Sequence, residues 1–189
     1  MSTYLISDIH GAADPLKRLI DKIELKKEDN VYFLGDYADW GSHSMETLGF
    51  IMDMDEDPHV HCLLGNHDQM FLDQIEKGRT ETPDPVWYFG NNGKVTWDAY
   101  CMLKEVNRKA IYKWLKKLEY SAEFRIGSEL YMAAHAYPYF GNRGRLSVYY
   151  TKDKAVWHRM HWNGDPFINY HGSKKYRAFI CGHTITDHY

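Results

Sequence analysis

Five apolar, β-prone runs in this chain each end in a polar motif, and that repeated pairing constrains the fold more than any other feature. Thr3-Tyr4-Leu5-Ile6-Ser7 runs into Asp8-Ile9-His10-Gly11. Val31-Tyr32-Phe33-Leu34 runs into Gly35-Asp36, with Asp39 just beyond. Val60-His61-Cys62-Leu63-Leu64 runs into Gly65-Asn66-His67-Asp68, Leu130-Tyr131-Met132-Ala133-Ala134 into His135, and Ala178-Phe179-Ile180-Cys181 into Gly182-His183. In open α/β sheets, ligands collect in the crevice beyond the carboxyl ends of the strands. Alone, Asp8, Asp36 or Asn66 would read as a cap or turn residue. As an ordered set at one topological position, they predict a shared site.

Helical patterns separate the runs. Asp14 reads as an N-cap with Pro15 at the first helical position, followed by Leu16, Leu19, Ile20 and Ile23 at helical spacing. Ser42 or Ser44 starts a second helix through Met45, Leu48, Ile51 and Met52. A third follows Asn66 through Met70, Phe71 and Ile75 to Gly78, and a fourth covers Val106, Ala110, Trp114, Leu115 and Leu118. This alternation predicts a layered α/β fold. Residues 80–92 and 137–147, rich in Pro and Gly, read as long loops, the first as a lid. No repeat or linker interrupts the chain, so one domain over 1–189 is expected.

The frame is compatible. A chain of 189 residues with 15% aromatic and 26% charged residues can bury a sizeable core. A net charge of −3 gives no basic surface for nucleic acid. Cys62, Cys101 and Cys181 read as buried free thiols of a reducing compartment. The first motif follows the N-terminus directly, so no signal peptide is expected. No apolar run approaches the roughly 20 residues of a membrane span, so no membrane partner is expected and the cytoplasm is the default.

The residue types point to metal chemistry. Asp, His and Asn offer oxygen and imidazole nitrogen without thiolate, a set suited to manganese, iron or zinc. Asp8 and His10, two apart in an extended segment, point to one side. Two metals roughly 3.5–4 Å apart clamp an in-line displacement at phosphorus and lower the pKa of bound water.

In order and spacing the motifs resemble those of the calcineurin-like metallophosphoesterases, and within them the serine/threonine phosphoprotein phosphatases of bacterial and phage type. The family pattern D-x-H-G, G-D-x-x-D-R-G, G-N-H-[ED] and two isolated histidines stands here as Asp8-Ile9-His10-Gly11, Gly35-Asp36-Tyr37-Ala38-Asp39-Trp40-Gly41, Gly65-Asn66-His67-Asp68, His135 and Gly182-His183. The resemblance implies an α-β-β-α sandwich with helices outside. It implies two metal ions, manganese first, iron or zinc as alternatives. Asp8, His10 and Asp36 would hold one. Asp36, Asn66, His135 and His183 would hold the other. A hydroxide shared by the metals would be the nucleophile, His67 the general acid and Asp39 its orienting carboxylate. Asp68 would cap a helix. Trp157-His158-Arg159 resembles the family's W-x-R segment, which makes Arg159 the phosphate-holding arginine, with Arg143 and Arg145 as weaker substitutes.

Two departures stand out. Trp40 occupies the place of a family arginine and reads as a packing residue. The chain stops at Tyr189, where relatives continue into at least one more strand, which leaves truncation or a naturally short chain open. The expected activity is phosphomonoester hydrolysis on phosphoserine or phosphothreonine in proteins, or on a small phosphoester. Alternatives are a symmetrical dinucleoside tetraphosphate hydrolase and a non-catalytic metal-binding scaffold. Oligomeric state is not legible.

Overall fold

Strand β2, Asn30–Phe33, shows how the layers arise. Successive strand side chains point to opposite faces. Val31 and Phe33 join one apolar cluster with Leu16, Leu48, Ile51, Phe71 and Trp114, all on helices. Tyr32 and Leu34 join a second cluster with Leu63, Phe124 and Ala133. β2 is thus covered on both faces, which explains its unbroken apolar run. Phe33 is fully buried; truncating such a residue to alanine typically costs about 3–5 kcal/mol.

The computed structural model describes residues 1–137, 140–141, 145–146, 156–157 and 175–184. β1 (Thr3–Ile6), β2 and β3 (Val60–Cys62) form a parallel sheet in that order, with Ile6 opposite Phe33 and Phe33 opposite Cys62. Helices α1 (Ala13–Ile23), α2 (Ser44–Met54), α3 (Asn66–Lys77), α4 (Gly93–Met102) and α5 (Glu105–Lys117) contribute to the larger cluster on one face. On the other face lies a second sheet. There β4 (Ser121–Ile126) pairs antiparallel with β5 (Glu129–Ala134). Phe140–Gly141 and Arg145–Leu146 form a short antiparallel pair, β6 and β7. β8 (Ala178–Ile180) runs parallel to β5. Tyr32 stacks on Phe124 at 4.7 Å across the seam. The result is a mixed α/β fold of helices, sheet and sheet. An outer helical layer on the second sheet is not among the described residues.

Several local expectations shift. α1 begins at Ala13 with Ala12 as N-cap, because Gly11, at φ +67°, turns the chain earlier than Asp14. Asp14 instead sits in the first turn, where a carboxylate favours the helix dipole. α2 starts at Ser44, not Ser42, and the Ser44 hydroxyl accepts from the Asp39 amide at 3.1 Å. Segment 80–92 is no free loop. Val86–Gly90 forms one π-helical turn, anchored by Trp87, which is 1% exposed. Strand β4 and helix α4 were not anticipated. His61 is half-buried on β3 and stacks on Tyr32 at 4.5 Å. Of the free cysteines only Cys62 is buried; Cys181 is exposed. Among the described residues no helix is long and apolar enough to cross a membrane.

Candidate metal centre

All five sequence motifs lie just past the carboxyl ends of β1, β2, β3, β5 and β8. The chain converges its side chains there through an unusual backbone. Asp8 (φ 55°), His10 (46°), Asp36 (57°), Asp39 (70°), Trp40 (58°) and His183 (66°) all adopt left-handed conformations. Among the described residues these are six of the eight non-glycine residues that do so. Each such residue costs on the order of 1–3 kcal/mol and persists only when its surroundings hold it.

Asp36 stands at the centre, 2% exposed. Its Oδ1 accepts the backbone N–H of His67 at 3.0 Å, at the start of α3. Its Oδ2 faces His135 Nε2 at 3.3 Å and His10 Nε2 at 3.6 Å. The loop around it is tied down by buried Asp68, whose carboxylate accepts from the amides of Asp36 (2.7 Å), Tyr37 (3.0 Å) and Gly65 (3.0 Å). Asp68 thereby caps α3 and fixes the Asp36 turn together. Gly65 has to be glycine here, because a Cβ would collide with the Asp36 carboxylate and backbone.

The histidine tautomers follow from their partners. His135 Nδ1 lies 2.9 Å from the Leu34 carbonyl, which can only accept, so Nδ1 carries a proton. Nε2 then faces Asn66 Oδ1 at 2.9 Å, His183 Nδ1 at 3.1 Å and Asp36 Oδ2. His10 Nδ1 is likewise held by the Ala38 carbonyl at 3.0 Å, leaving Nε2 toward Asp36. A carbonyl that fixes one ring nitrogen and aims the other is the usual support of a metal-binding histidine. In the protein alone, lone pairs crowd this space. Burial would lower the His135 imidazole, but the hydrogen bond and charge of Asp36 raise it. Burial would raise Asp36, yet the surrounding histidines bring it down to about 2. A divalent cation relieves the same crowding without a proton, so the residues present fit one.

Two such groups share Asp36. His10, Asp36 and His67 form one; Asp36, His135 and His183 form the other, each with donor atoms within 4.8 Å of one another. Asn66 joins the second through His135. Asp8 lies outside both groups. It is exposed, lines a cavity together with His10, Asp36 and His183, and accepts the His183 amide at 3.0 Å.

His67 and Asp39 are brought together at 2.7 Å, Nδ1 to Oδ2. Asp39 is fully buried. The Thr96 hydroxyl donates to Oδ1 at 2.6 Å and the Trp87 indole to Oδ2 at 2.7 Å. Trp87 and Thr96 are functional neighbours that sequence reasoning missed; neither belongs to a motif. Burial works to lower the His67 imidazole, but the Asp39 hydrogen bond and nearby carboxylates outweigh it and the pKa is raised.

Asp8, His10, Asp36, Asn66, His67 and His183 floor a cavity of about 590 Å³ that also borders Trp40, Asn91 and Trp157. Trp40 is 55% exposed and so is not the packing residue expected from sequence. Arg159 and Arg143 lie outside the described residues, as does the side chain of Arg145.

The sequence model of the calcineurin-like phosphoesterases matches residues 1–187, and the chain belongs to that family. It is 37% identical over 92 residues to the symmetrical bis(5'-nucleosyl)-tetraphosphatase of Legionella pneumophila strain Corby, covering 46% of this chain and 33% of that protein. The enzyme of the same name from Pseudomonas fluorescens strain SBW25 is 32% identical over 96 residues, 44% of this chain and 33% of its own. The chain thus matches these curated relatives over about a third of their length. A metallophosphoesterase from Sphaerobacter thermophilus superposes with a TM-score of 0.51 at 18% identity, covering 84% of this chain and 50% of that one, which shows a shared fold. The chain is accordingly a member of the metallophosphoesterase family, and that membership implies a dinuclear metal site, for which the two groups around Asp36 are the candidates.

Proposed function

We propose that this protein is a two-metal phosphohydrolase that splits symmetrical bis(5'-nucleosyl) tetraphosphates into two nucleoside diphosphates. The observation that carries the chemistry is Asp36, one carboxylate placed between two groups of imidazoles. The substrate follows from relatives at 32% and 37% identity, both named symmetrical bis(5'-nucleosyl)-tetraphosphatases. They favour this substrate over the phosphoprotein expected from the motifs.

In this reading Asp8, His10 and Asp36 hold one ion. Asp36, Asn66, His135 and His183 hold the other. Manganese is the expected metal. The bound ions would supply Lewis acidity and a water of lowered pKa. The Asp36 carboxylate keeps the two sites adjacent. His67 gives a proton to the departing diphosphate oxygen, and Asp39 keeps its imidazole oriented and favours its protonated form. Arg159 holds phosphate oxygens through its guanidinium fork. The intact His67–Asp39 pair argues against a scaffold without chemistry, which needs no proton donor.

The test is direct. Purified protein with Mn²⁺ is given diadenosine tetraphosphate or a phosphoserine peptide, and products are resolved by chromatography. ADP as the sole nucleotide product supports the proposal. Phosphate release from the peptide with diadenosine tetraphosphate untouched would return the protein-phosphatase reading, and no turnover of either would favour the scaffold.

A further inference from the structure

Trp40 is held in place at some cost. Its backbone sits at φ 58°, an outlier for a bulky side chain. Two contacts keep it there. Its carbonyl accepts from Asn92 Nδ2 at 3.2 Å, and the next amide, Gly41, donates to the His10 carbonyl at 3.0 Å. The indole gains little core burial in return, being 55% exposed. It borders the cavity floored by Asp36, Asn66 and His67, and Trp157, 44% exposed, borders the same cavity. A single exposed aromatic needs no explanation. Two exposed tryptophans on the cleft that holds the candidate metal ligands, one of them in a strained backbone, are a different case.

We propose that Trp40 is the stacking face for a nucleobase of the substrate. The inference rests on the phosphohydrolase reading of the site and adds a specificity residue to it. The polar floor offers groups for phosphate and metal alone. A π-face adds nothing to phosphate binding and would engage only the part of the substrate that carries its own π-face. Where the family pattern carries an arginine, this chain presents a neutral aromatic, so recognition at that position moves from charge to ring stacking. A serine or threonine phosphoester has no ring to meet it.

Binding without turnover tests the assignment. Calorimetry on Mn²⁺-loaded protein compares α,β-methylene-ADP with methylenediphosphonate, the same bridged diphosphate with and without a nucleoside. One base–aromatic stack is worth about 1–3 kcal/mol, or about 5- to 150-fold at 1.4 kcal/mol per tenfold. The wild type should prefer α,β-methylene-ADP by a factor in that range. Trp40→Ala should erase most of this preference, and Trp40→Phe should keep most of it. An equal preference in wild type and Trp40→Ala overturns the assignment, as does a wild type that binds neither probe. Because no hydrolysis is involved, failure to cleave diadenosine tetraphosphate sinks the proposed activity alone. The preference ratio is then judged separately.

Discussion

The Trp87 indole N–H meets Asp39 Oδ2 at 2.7 Å, on the same oxygen that His67 Nδ1 approaches at 2.7 Å. Thr96 occupies the other oxygen. Asp39 is therefore a buried carboxylate whose two oxygens are both engaged, and it has no freedom to turn away from His67. Hydrogen bonds to a charged group are stronger than neutral ones, and they fix direction as well as charge. The orientation of the His67 ring thus depends on a segment that carries no catalytic motif of its own.

Trp87→Phe should show this dependence. The ring volume is largely kept while the donor is lost. A hydrogen bond to a charged group contributes about 1.5–3 kcal/mol, so urea unfolding should report a loss of at least that order. Turnover should fall less than in His67→Asn. Unchanged stability would mean that the indole contributes no bond of consequence.

Metal content provides a second check. Asp36 lies between both imidazole groups, so Asp36→Asn should reduce bound metal at both sites, measured as ions per chain after dialysis. Chelation of the wild type should abolish phosphohydrolase activity, and added Mn²⁺ should restore it. Full activity in metal-free protein would refute the two-metal reading.

Proton donation by His67 has a leaving-group signature. Nitrophenolate departs readily without a proton, whereas phenolate is a poorer leaving group. General acid catalysis is typically worth about 10²–10⁴-fold. His67→Asn should therefore slow phenyl phosphate hydrolysis much more than nitrophenyl phosphate hydrolysis. Equal losses on both substrates, with metal content intact, would assign His67 to binding instead.

The same residue predicts a pH dependence in metal-free protein. Burial opposes the charge on His67, but the Asp39 hydrogen bond together with the charges of Asp36, Asp39 and Asp68 outweighs it, and its pKa rises above the ordinary 6.5. A folded-state pKa above the unfolded value favours folding most below the unfolded pKa, and the benefit fades as pH rises through the folded one. The stability difference between wild type and His67→Gln should be largest below about pH 6.5 and shrink above it. A difference that grows with pH would reverse the sign and remove Asp39 as the cause.

The strand ends were legible because their signal is local: an apolar run, a turn, then Asp, His or Asn. Asp8-Ile9-His10 and Gly65-Asn66-His67 could be read without knowing what they face. Helix α4 could not. Gly93, Val95, Thr96 and Trp97 are weak helix formers, and the helix is held by ring contacts of Trp97 with Trp87 (6.3 Å) and Tyr100 (5.5 Å). Strand β4 had a faint cue in the two-residue Gly127-Ser128 connection to β5, with Gly127 at φ 61°. The role of Trp87 depends on a partner 48 residues away, a distance no local pattern spans. Trp40, which reads from the sequence as a packing residue, lies at the surface. It is 55% exposed and has a left-handed backbone, and neither feature is announced by composition.

His135 and His183 follow strands of the second sheet, whereas Asp36 and Asn66 follow strands of the first. A cation held among them would therefore work as a rivet through the seam where Tyr32 stacks on Phe124. A ligand at 100 times its dissociation constant stabilises the state that binds it by about 2.7 kcal/mol. Here that energy would act across the join between the sheets, leaving the helical face almost untouched. Loss of metal would then disable the chemistry and also loosen the two halves of the sandwich from each other, beginning at the site itself.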